Sequence, residues 1–331
     1  MENVSGFEIM SFAPADSQAT RIVCHGQGLV GFSFQNISHL TMHGLTINSC
    51  GKGSFLYLDP SMYGVLVDSV LDTSISNCSF QDSVGTALGM FHSSLDLRGS
   101  NSFTSNCRRC TERRIFEGGG IHARNNTLSF SGNTIFRNNS AEIFGGGIYA
   151  RDSTLNFSGS SVFGSNTAGY RGGGIAAESS TINFSGSSTF GNNSAWESGG
   201  GIAAKSSTIN FSGSSTFGNN SAWEGGGISA TSNTLVTFSG NIFFRNNTAK
   251  KGGGIIAQKS TIHFSGSSTF GSNTAEYGGG IIAQKSTIDF SGSSTFGSNT
   301  AEFGGGIHAV VQATSSRAMM MLVSCPKCAL L

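Results

Sequence analysis

The chain of 331 residues is poor in proline, in charged residues and in long apolar runs. It holds only 3 Pro, and Asp, Glu, Lys and Arg together make up 11% of the residues, which is less than half of the usual ~25%. A disordered tail or linker is rich in charge and poor in aromatic residues, so this composition argues against both. No run approaches the ~18 consecutive apolar residues of a membrane-spanning helix.

Neither sign of charge is in excess, because the formal net charge is +1. No cluster of Lys and Arg outweighs the acidic residues, so the electrostatic footprint of a nucleic-acid-binding protein is missing and we expect no nucleic-acid partner. Residues 1–5 lack the basic and apolar regions of a secretory signal peptide. Such a start fits a cytosolic chain or a piece of a longer chain.

Glycine and phenylalanine are abundant, with 48 Gly and 26 Phe. Much of the glycine belongs to a repeat of 26 or 27 residues that begins with Gly-Gly-Gly-Ile, at Gly118, Gly145, Gly172, Gly199, Gly225, Gly252, Gly278 and Gly304. Each repeat continues with a Phe-Ser-Gly segment and then with Phe-x-x-Asn, and its two Phe residues lie six positions apart. Fixed core spacing with a loop of variable length is what stacked coils require.

Short segments of each repeat alternate between apolar and polar residues, which predicts half-buried strands. In residues 154–158, for example, Leu155 and Phe157 share one face. No segment has the 3.6-residue period of a helix, and glycine at this density opposes one. The sequence therefore predicts an all-β fold, a single-stranded right-handed parallel β-helix with about 26–27 residues per coil and three short strands per coil, with Ile and Phe in inner columns.

We expect four segments along the chain. These are an irregular N-terminal segment, 1–30, degenerate coils, 31–117, regular repeats, 118–309, and an irregular C-terminal tail, 310–331. In the degenerate part, Ile47 to Cys50 resembles Ile75 to Cys78, which predicts that the two cysteines lie on adjacent coils. A solenoid end normally needs a polar cap, and the tail is a poor one, so we expect further coils in a longer chain.

The tandem Gly-Gly-Gly-Ile and Phe-x-x-Asn motifs resemble the repeats of chlamydial polymorphic membrane proteins, and more broadly the right-handed β-helix (pectin-lyase-like) families. The resemblance is strong over residues 103–309 and weak over 31–101. The third position of the family motif is usually Ala, whereas it is Gly throughout this chain. The resemblance implies an extracellular or cell-surface protein with an adhesive role, associated with the outer membrane if the source is bacterial.

The repeat generates two rows of candidate functional residues. The Asn of Phe-x-x-Asn is expected to form a structural ladder at a turn, where its amide satisfies backbone groups, and comprises Asn139, Asn166, Asn193, Asn220, Asn247, Asn273 and Asn299. One aromatic residue per coil precedes the Gly triplet, interrupted by Lys250 and Lys251, and these residues are Phe144, Tyr170, Trp196, Trp223, Tyr277 and Phe303. Such an aromatic edge either binds a glycan or protein partner or packs over the triplet, and both interpretations stay open.

A polysaccharide lyase or hydrolase would need clustered carboxylates. The regular repeats contain only Asp152 and Asp289, about five coils apart, and the Glu residues before the triplets are expected to be surface charges. The remaining place for a catalytic site is the irregular N-terminal part, with Asp59, Asp68, Asp72, His92 and Asp96. We therefore predict a non-catalytic display protein without a cofactor. Carbohydrate binding or processing, and a gene fragment without independent function, are the alternatives.

Seven cysteines include two Cys-x-x-Cys pairs, Cys107/Cys110 and Cys325/Cys328. Two such pairs could bind zinc if they met. About eight coils separate them, which is on the order of 35–40 Å at ~4.8 Å per coil, whereas zinc needs all four sulfurs at ~2.3 Å. We therefore predict no metal site and expect the cysteines to be structural or unpaired.

Overall fold

The computed structural model describes residues 7–10, 20–23, 32–36, 39–48, 63–107, 117–310, 323–324 and 328–330. Every regular element in these ranges is a β-strand, and all the strands pair in parallel. The prediction of an all-β parallel solenoid is confirmed, and its right-handed sense stays a prediction. Across these ranges the chain contains no helix with the length and apolarity needed to cross a membrane.

Each regular coil contributes one strand to each of three long sheets. Sheet C follows the Gly triplets and comprises Phe32–Gln35, Tyr63–Asp68, Thr86–Phe91, Ile121–Arg124, Ile148–Arg151, Ile175–Glu178, Ile202–Lys205, Ile228–Thr231, Ile255–Gln258, Ile281–Gln284 and Ile307–Val310. Sheet A, next along each coil, comprises Phe7–Met10, His39–His43, Asp72–Ser76, Ser94–Arg98, Thr127–Phe130, Thr154–Phe157, Thr181–Phe184, Thr208–Phe211, Leu235–Phe238, Thr261–Phe264, Thr287–Phe290 and Val323–Ser324. Sheet B comprises Thr20–Val23, Leu45–Asn48, Ser79–Gln81, Ser100–Thr104, Asn133–Arg137, Ser161–Gly164, Ser188–Gly191, Ser215–Gly218, Ile242–Arg245, Ser268–Gly271, Ser294–Gly297 and Cys328–Leu330.

A fourth, shorter sheet lies between sheet B and the next Gly triplet, where the sequence predicted only a loop. This sheet D comprises Ser140–Ala141, Thr167–Ala168, Ser194–Ala195, Ser221–Glu224 and Thr248–Lys251. Single bridges continue the pairing from Thr248 through Thr274 to Thr300. The segment is long enough in each coil to pair with its counterpart in the next, so it forms an ordered edge of the solenoid.

The core consists of the predicted Ile and Phe columns, which are confirmed. Ile148 has no exposed surface and pairs in register with the Ile of the next coil. Phe157 stacks on Phe184 with ring centroids 4.7 Å apart, and Phe163 stacks on Phe190 at 4.7 Å. The two Phe columns meet edge to face, with Phe157 and Phe163 at 5.8 Å. Such aromatic pairs contribute about 0.5–1.5 kcal/mol each beyond their buried area.

The Gly triplet recurs because the corner leaves no room for a side chain. Gly145 has a φ of +67°, a left-handed conformation that favours glycine. A Cβ added to Gly147 would lie 2.6 Å from the carbonyl oxygen of Gly174 and 3.2 Å from the Phe163 ring. The triplet therefore permits both the turn and the close approach of successive coils.

The N-terminal coils are irregular in length. Leu40, Thr73, Leu95 and Leu128 lie in register in sheet A, so the successive steps are 33, 22 and 33 residues. After Leu128 the steps settle to the 26 or 27 residues of the repeat. These coils preserve the three sheets while the connections between strands vary.

Ile47 and Ile75 lie on adjacent coils but in different sheets. The placement of Cys50 stays a prediction, because Cys50 lies outside the described residues. Ile47 pairs with Phe80 in sheet B, and Ile75 pairs with Met42 in sheet A. The coil is 33 residues long, and its additional residues lie between the sheet B strand that ends at Asn48 and the next sheet C strand. The resemblance between the two short segments therefore did not reflect their register.

Strands also occur in both terminal segments that were expected to be irregular. Phe7–Met10 pairs with His39–His43, and Thr20–Val23 pairs with Leu45–Asn48. At the other end, Cys328–Leu330 pairs with the last regular strand of sheet B. The solenoid pairing thus extends beyond the degenerate and regular coils, and the four-segment division stays a prediction.

Candidate functional site

The Asn residues of the Phe-x-x-Asn motifs form a hydrogen-bonded ladder at the corner that follows sheet B. The ladder comprises Asn139, Asn166, Asn193, Asn220, Asn247, Asn273 and Asn299. Asn299 is half-buried, and the other six are buried. In one rung, Nδ2 of Asn193 donates to the carbonyl oxygen of Phe163 at 2.9 Å and to Oδ1 of Asn220 at 3.0 Å. Asn106 extends the same ladder by one coil.

The six aromatic candidates share one edge of the solenoid without forming a single row. Phe144 is bridged to Arg171, and Arg171 is bridged to Ser198. Tyr170 and Trp196 therefore lie one and two positions before the register row that begins at Phe144. This corrects the expectation of one aligned row, and the reason is visible in the sequence, because the number of residues between the aromatic residue and the triplet varies from coil to coil.

The aromatic side chains on this edge differ in their surroundings. Trp196 is 79% exposed and Trp223 is 53% exposed, and Nζ of Lys250 lies 4.5 Å from the centroid of the Trp223 ring. In contrast, Tyr277 and Phe303 stack at 5.0 Å. Packing thus accounts for the stacked pair, whereas the two Trp side chains present large apolar surfaces to solvent.

A groove runs along the outer face of sheet C, parallel to the solenoid axis. Its floor is the outward row Tyr149, Ala176, Ala203 and Ser229, one residue per coil in register. The next residue of the row is Ile256. The groove encloses about 80 Å³.

Polar and charged side chains form the two walls of this groove. The wall on the side of sheet D includes Arg171 and Ser198, and the wall at the ends of the sheet C strands includes Glu178, Lys205 and Thr231. Glu178 and Lys205 lie in register on this wall, and Nζ of Lys205 is 2.9 Å from Oε1 of Glu178.

A buried polar cluster continues the outward row of sheet C beyond Tyr149. His122 is in register with Tyr149, and the two ring centroids are 5.3 Å apart. Nδ1 of His122 lies 3.3 Å from the hydroxyl of Tyr63, and Nε2 lies 3.8 Å from Oε2 of Glu117. Neither Glu117 nor His122 was predicted from the sequence as a functional residue. The available signal was that His122 occupies a position held by Tyr, Ala, Ser or Ile in the following repeats up to Ile282.

Burial shifts the pKa of both groups in this cluster. It lowers the pKa of His122 to about 3, with the nearby charge of Arg124 acting in the same direction. It raises the pKa of Glu117 to about 7, against the opposing charge of Arg151. The imidazole is therefore neutral at pH 7, and the 3.8 Å contact is too long for a hydrogen bond and is no salt bridge.

The candidate acidic residues of the N-terminal part are divided between two sites. Nδ1 of His92 lies 3.3 Å from Oδ1 of Asp68 at the edge of sheet C. Asp72 and Asp96 instead lie on strands of sheet A, where Asp96 accepts a hydrogen bond from Arg98. Asp59 lies outside the described residues.

The two Asp residues of the regular repeats are also far apart in the fold. Oδ2 of Asp152 lies 3.5 Å from Nε of Arg151. Oδ2 of Asp289 lies 3.5 Å from Nδ1 of His263, which is on the neighbouring strand of sheet A. Each therefore contacts a local basic residue. This arrangement offers no pair of these carboxylates that could act on one bond.

The cysteines and the other potential metal ligands do not cluster within the described residues. Cys78 is a buried free thiol whose pKa is raised by burial, and Cys107 is disulfide-bonded. Cys50, Cys110 and Cys325 lie outside the described residues. Over the described ranges, no three His, Cys, Asp or Glu side chains form a group that could hold a metal ion.

The comparisons with known proteins bear on the repeat. Residues 133–151 match the Chlamydia polymorphic membrane protein repeat. This stretch spans the sheet B strand Asn133–Arg137, Asn139, the Gly triplet and the sheet C strand Ile148–Arg151. No curated protein and no solved structure matches the chain. Over these residues the chain is thus similar to the repeat of the chlamydial polymorphic membrane proteins.

Proposed function

We propose that this chain is a non-catalytic β-solenoid, displayed at the cell surface or outside the cell, with a structural and adhesive role. The polymorphic membrane protein repeat and the parallel solenoid fit a surface-displayed repeat protein. If the source is a bacterium, we expect the chain to be associated with the outer membrane. The stacked coils supply a long surface on which side chains recur in fixed positions.

The exposed pair Trp196 and Trp223 is the observation that carries the adhesive part of the proposal. Both Trp residues lie on the edge that contains sheet D, where strand pairing holds the backbone of successive coils. Large aromatic side chains on a preorganised surface are frequent energetic centres of interfaces, and little conformational entropy is lost when they bind. We therefore assign the partner-binding surface to this tryptophan edge.

A double variant tests the tryptophan edge directly. Beads coated with the full chain are presented to cultured epithelial cells, and the number of bound beads is compared with that of beads carrying Trp196→Ala/Trp223→Ala. We expect at least about a tenfold loss, since two interface Trp side chains commonly carry more than 1.4 kcal/mol of binding free energy.

The matched control is Leu71→Ala, because Leu71 is also 79% exposed but lies beside sheet A in the N-terminal coils. This variant should bind as the parent chain does. Circular dichroism and thermal unfolding establish that all variants are folded. Equal binding by the double variant and the parent chain would remove the adhesive role of the edge.

Polysaccharide processing is the second candidate, and one observation favours it. Glu117, with its pKa raised to about 7, is suited to donate a proton near neutral pH. Its side chain is only 11% exposed, however, and hydrolysis needs a second carboxylate across the bond. Release of reducing ends from a polysaccharide, lost in Glu117→Gln, would establish this activity in place of the non-catalytic role.

A further inference from the structure

We propose that the tryptophan edge binds the surface of a zwitterionic phospholipid bilayer, with phosphatidylcholine as the lipid that fits it. This inference rests on the proposed adhesive role of the edge and names its partner. The solenoid lies along the bilayer, and the aromatic side chains of the edge enter the headgroup region.

Exposed aromatic side chains are concentrated on this edge. They are Tyr170 at 39% exposure, Trp196 at 79%, Trp223 at 53% and Phe303 at 49%. The other large apolar side chains that are exposed among the described residues are dispersed over the solenoid, and they are Leu71, Ile135 and Val310. Trp and Tyr combine an apolar ring with a polar group, and they are enriched at the boundary between membrane and water. The residue types on this edge therefore suit a bilayer surface.

The edge runs along the solenoid axis, so its aromatic side chains can reach one plane together. Parallel pairing joins one residue of each successive coil in five steps, and the row is Arg171, Ser198, Glu224, Lys251, Tyr277 and Phe303. Each exposed aromatic residue lies in this row or within two positions of it. At ~4.8 Å per coil, the row is on the order of 24 Å long. A flat bilayer can contact this whole line, whereas a folded protein would need a surface shaped to match it.

The charges along the edge favour a zwitterionic surface over an anionic one. Its basic side chains form ion pairs, which are Arg171 with Glu197, Lys251 with Glu224, and Lys250 with Glu276. Glu302 adds a further carboxylate and is exposed. Attraction to anionic lipids depends on clusters of Lys and Arg whose charge is not compensated. Within the described residues, this edge contains no such cluster.

The aromatic rings of the edge can accept the quaternary ammonium group of a choline headgroup. Nζ of Lys250 lies 4.5 Å from the centroid of the Trp223 ring. Cζ of Arg171 lies 4.7 Å from the centroid of the Tyr170 ring. Among the described residues, no cationic group lies over Trp196. Its exposed indole face is therefore a favourable site for a quaternary ammonium group.

The fluorescence of the chain reports directly on this edge. The chain contains only two Trp residues, Trp196 and Trp223. The full chain is mixed with unilamellar phosphatidylcholine vesicles, and the Trp emission spectrum is recorded. We expect a blue shift, because the indole rings move from water into the headgroup region. Phosphatidylcholine brominated on its acyl chains should quench this emission, since the rings then lie within the bilayer surface.

Sedimentation with vesicles compares variants and lipids. Trp196→Ala/Trp223→Ala should bind phosphatidylcholine vesicles at least about tenfold more weakly, because it removes the largest exposed apolar side chains of the edge. Leu71→Ala is the matched control and should bind as the parent chain does, since Leu71 is as exposed as Trp196 but lies away from the edge. Phosphatidylglycerol vesicles should bind more weakly than phosphatidylcholine vesicles, and high salt should not weaken the binding of phosphatidylcholine.

Three outcomes would overturn the proposal. They are the absence of a blue shift with phosphatidylcholine vesicles, tighter binding of phosphatidylglycerol vesicles, and equal vesicle binding by the double variant and the parent chain.

The bead assay on epithelial cells separates this inference from the adhesive role on which it rests. A bilayer partner predicts that binding of the parent chain persists after the cells are treated with protease. If the edge instead binds a protein, binding still falls in the double variant, but protease treatment abolishes it and vesicles are not bound. If the edge has no adhesive role, beads that carry the parent chain and the double variant bind untreated cells equally.

Discussion

Burial moves the pKa values of Glu117 and His122 in opposite directions, and the two shifts have opposite effects on stability. The pKa of Glu117 rises from 4.5 to about 7 on folding, so its stabilising contribution is complete below pH 4.5 and is lost as the pH rises through 7. The pKa of His122 falls from 6.5 to about 3, so its contribution is complete above pH 6.5 and is lost as the pH falls toward 3. Between pH 4.5 and pH 6.5 the two groups change the free energy of unfolding with pH in opposite directions, so their effects largely cancel.

Glu117→Gln separates the two contributions. The variant cannot ionise at this position, so its stability relative to the parent chain should increase by on the order of 3 kcal/mol between pH 4.5 and pH 8. Thermal and urea unfolding across this pH range measure the difference. The matched control is Glu302→Gln, which makes the same substitution at an exposed position. A difference for Glu117→Gln that is constant with pH would show that the carboxyl group titrates normally.

At the scale of elements, the Asn ladder joins successive coils at the corner between sheets B and D. Oδ1 of Asn193 accepts hydrogen bonds from both the backbone N–H and Nδ2 of Asn166, each at 3.0 Å. Nδ2 of Asn193 donates hydrogen bonds to the carbonyl oxygen of Phe163 and to Oδ1 of Asn220, so this one side chain contacts both neighbouring coils. Because these groups are buried, each lost partner leaves a polar group that solvent cannot satisfy.

Asn193→Ala should lower the free energy of unfolding by at least about 3 kcal/mol, because it leaves two N–H groups of Asn166 and two oxygen atoms with a partner missing. Urea denaturation monitored by circular dichroism measures the change. The adjacent Asn192→Gly is the control, since Asn192 is exposed and has a φ of 57°, which glycine adopts readily. Equal losses in the two variants would contradict a structural role for the ladder.

The elements that recur at fixed spacing could be predicted from the sequence. The Phe columns and the strand after each Gly triplet follow directly from the repeat. Sheet D was not predicted because its register is set by pairing between coils and not by a motif. For the same reason, the sequence did not show that Trp196 lies out of register with Phe144. Glu117 and His122 were missed because they depart from the repeat, and their burial depends on residues of several coils. The register of Ile47 with Phe80 could not be predicted from the repeat, because the early coils vary in length.

The whole molecule is a one-dimensional stack in which each regular coil contacts mainly the coil before and the coil after it. In such a stack the stability is approximately a sum of the contributions of the coils and of the interfaces between neighbours. The backbone hydrogen bonds between Gly triplets illustrate this, since Gly145 donates to Arg171 and Gly172 donates to Ser198 in the same way. One coil is therefore interchangeable with the next in its backbone contacts.

Deletion of one complete coil, residues 172–198, should consequently preserve the fold. The deletion removes one 27-residue repeat and joins Arg171 to Gly199, so that the Gly triplet, the Phe columns and the Asn ladder stay in register. We expect a cooperative unfolding transition and a denaturant slope reduced by roughly one coil's share of the buried surface. Deletion of residues 172–184 is the control, because it removes about half a coil and brings sheet B positions against sheet C positions. Circular dichroism and urea denaturation compare the two, and a loss of cooperative unfolding in the full-coil variant would show that stability depends on longer-range contacts than those between neighbouring coils.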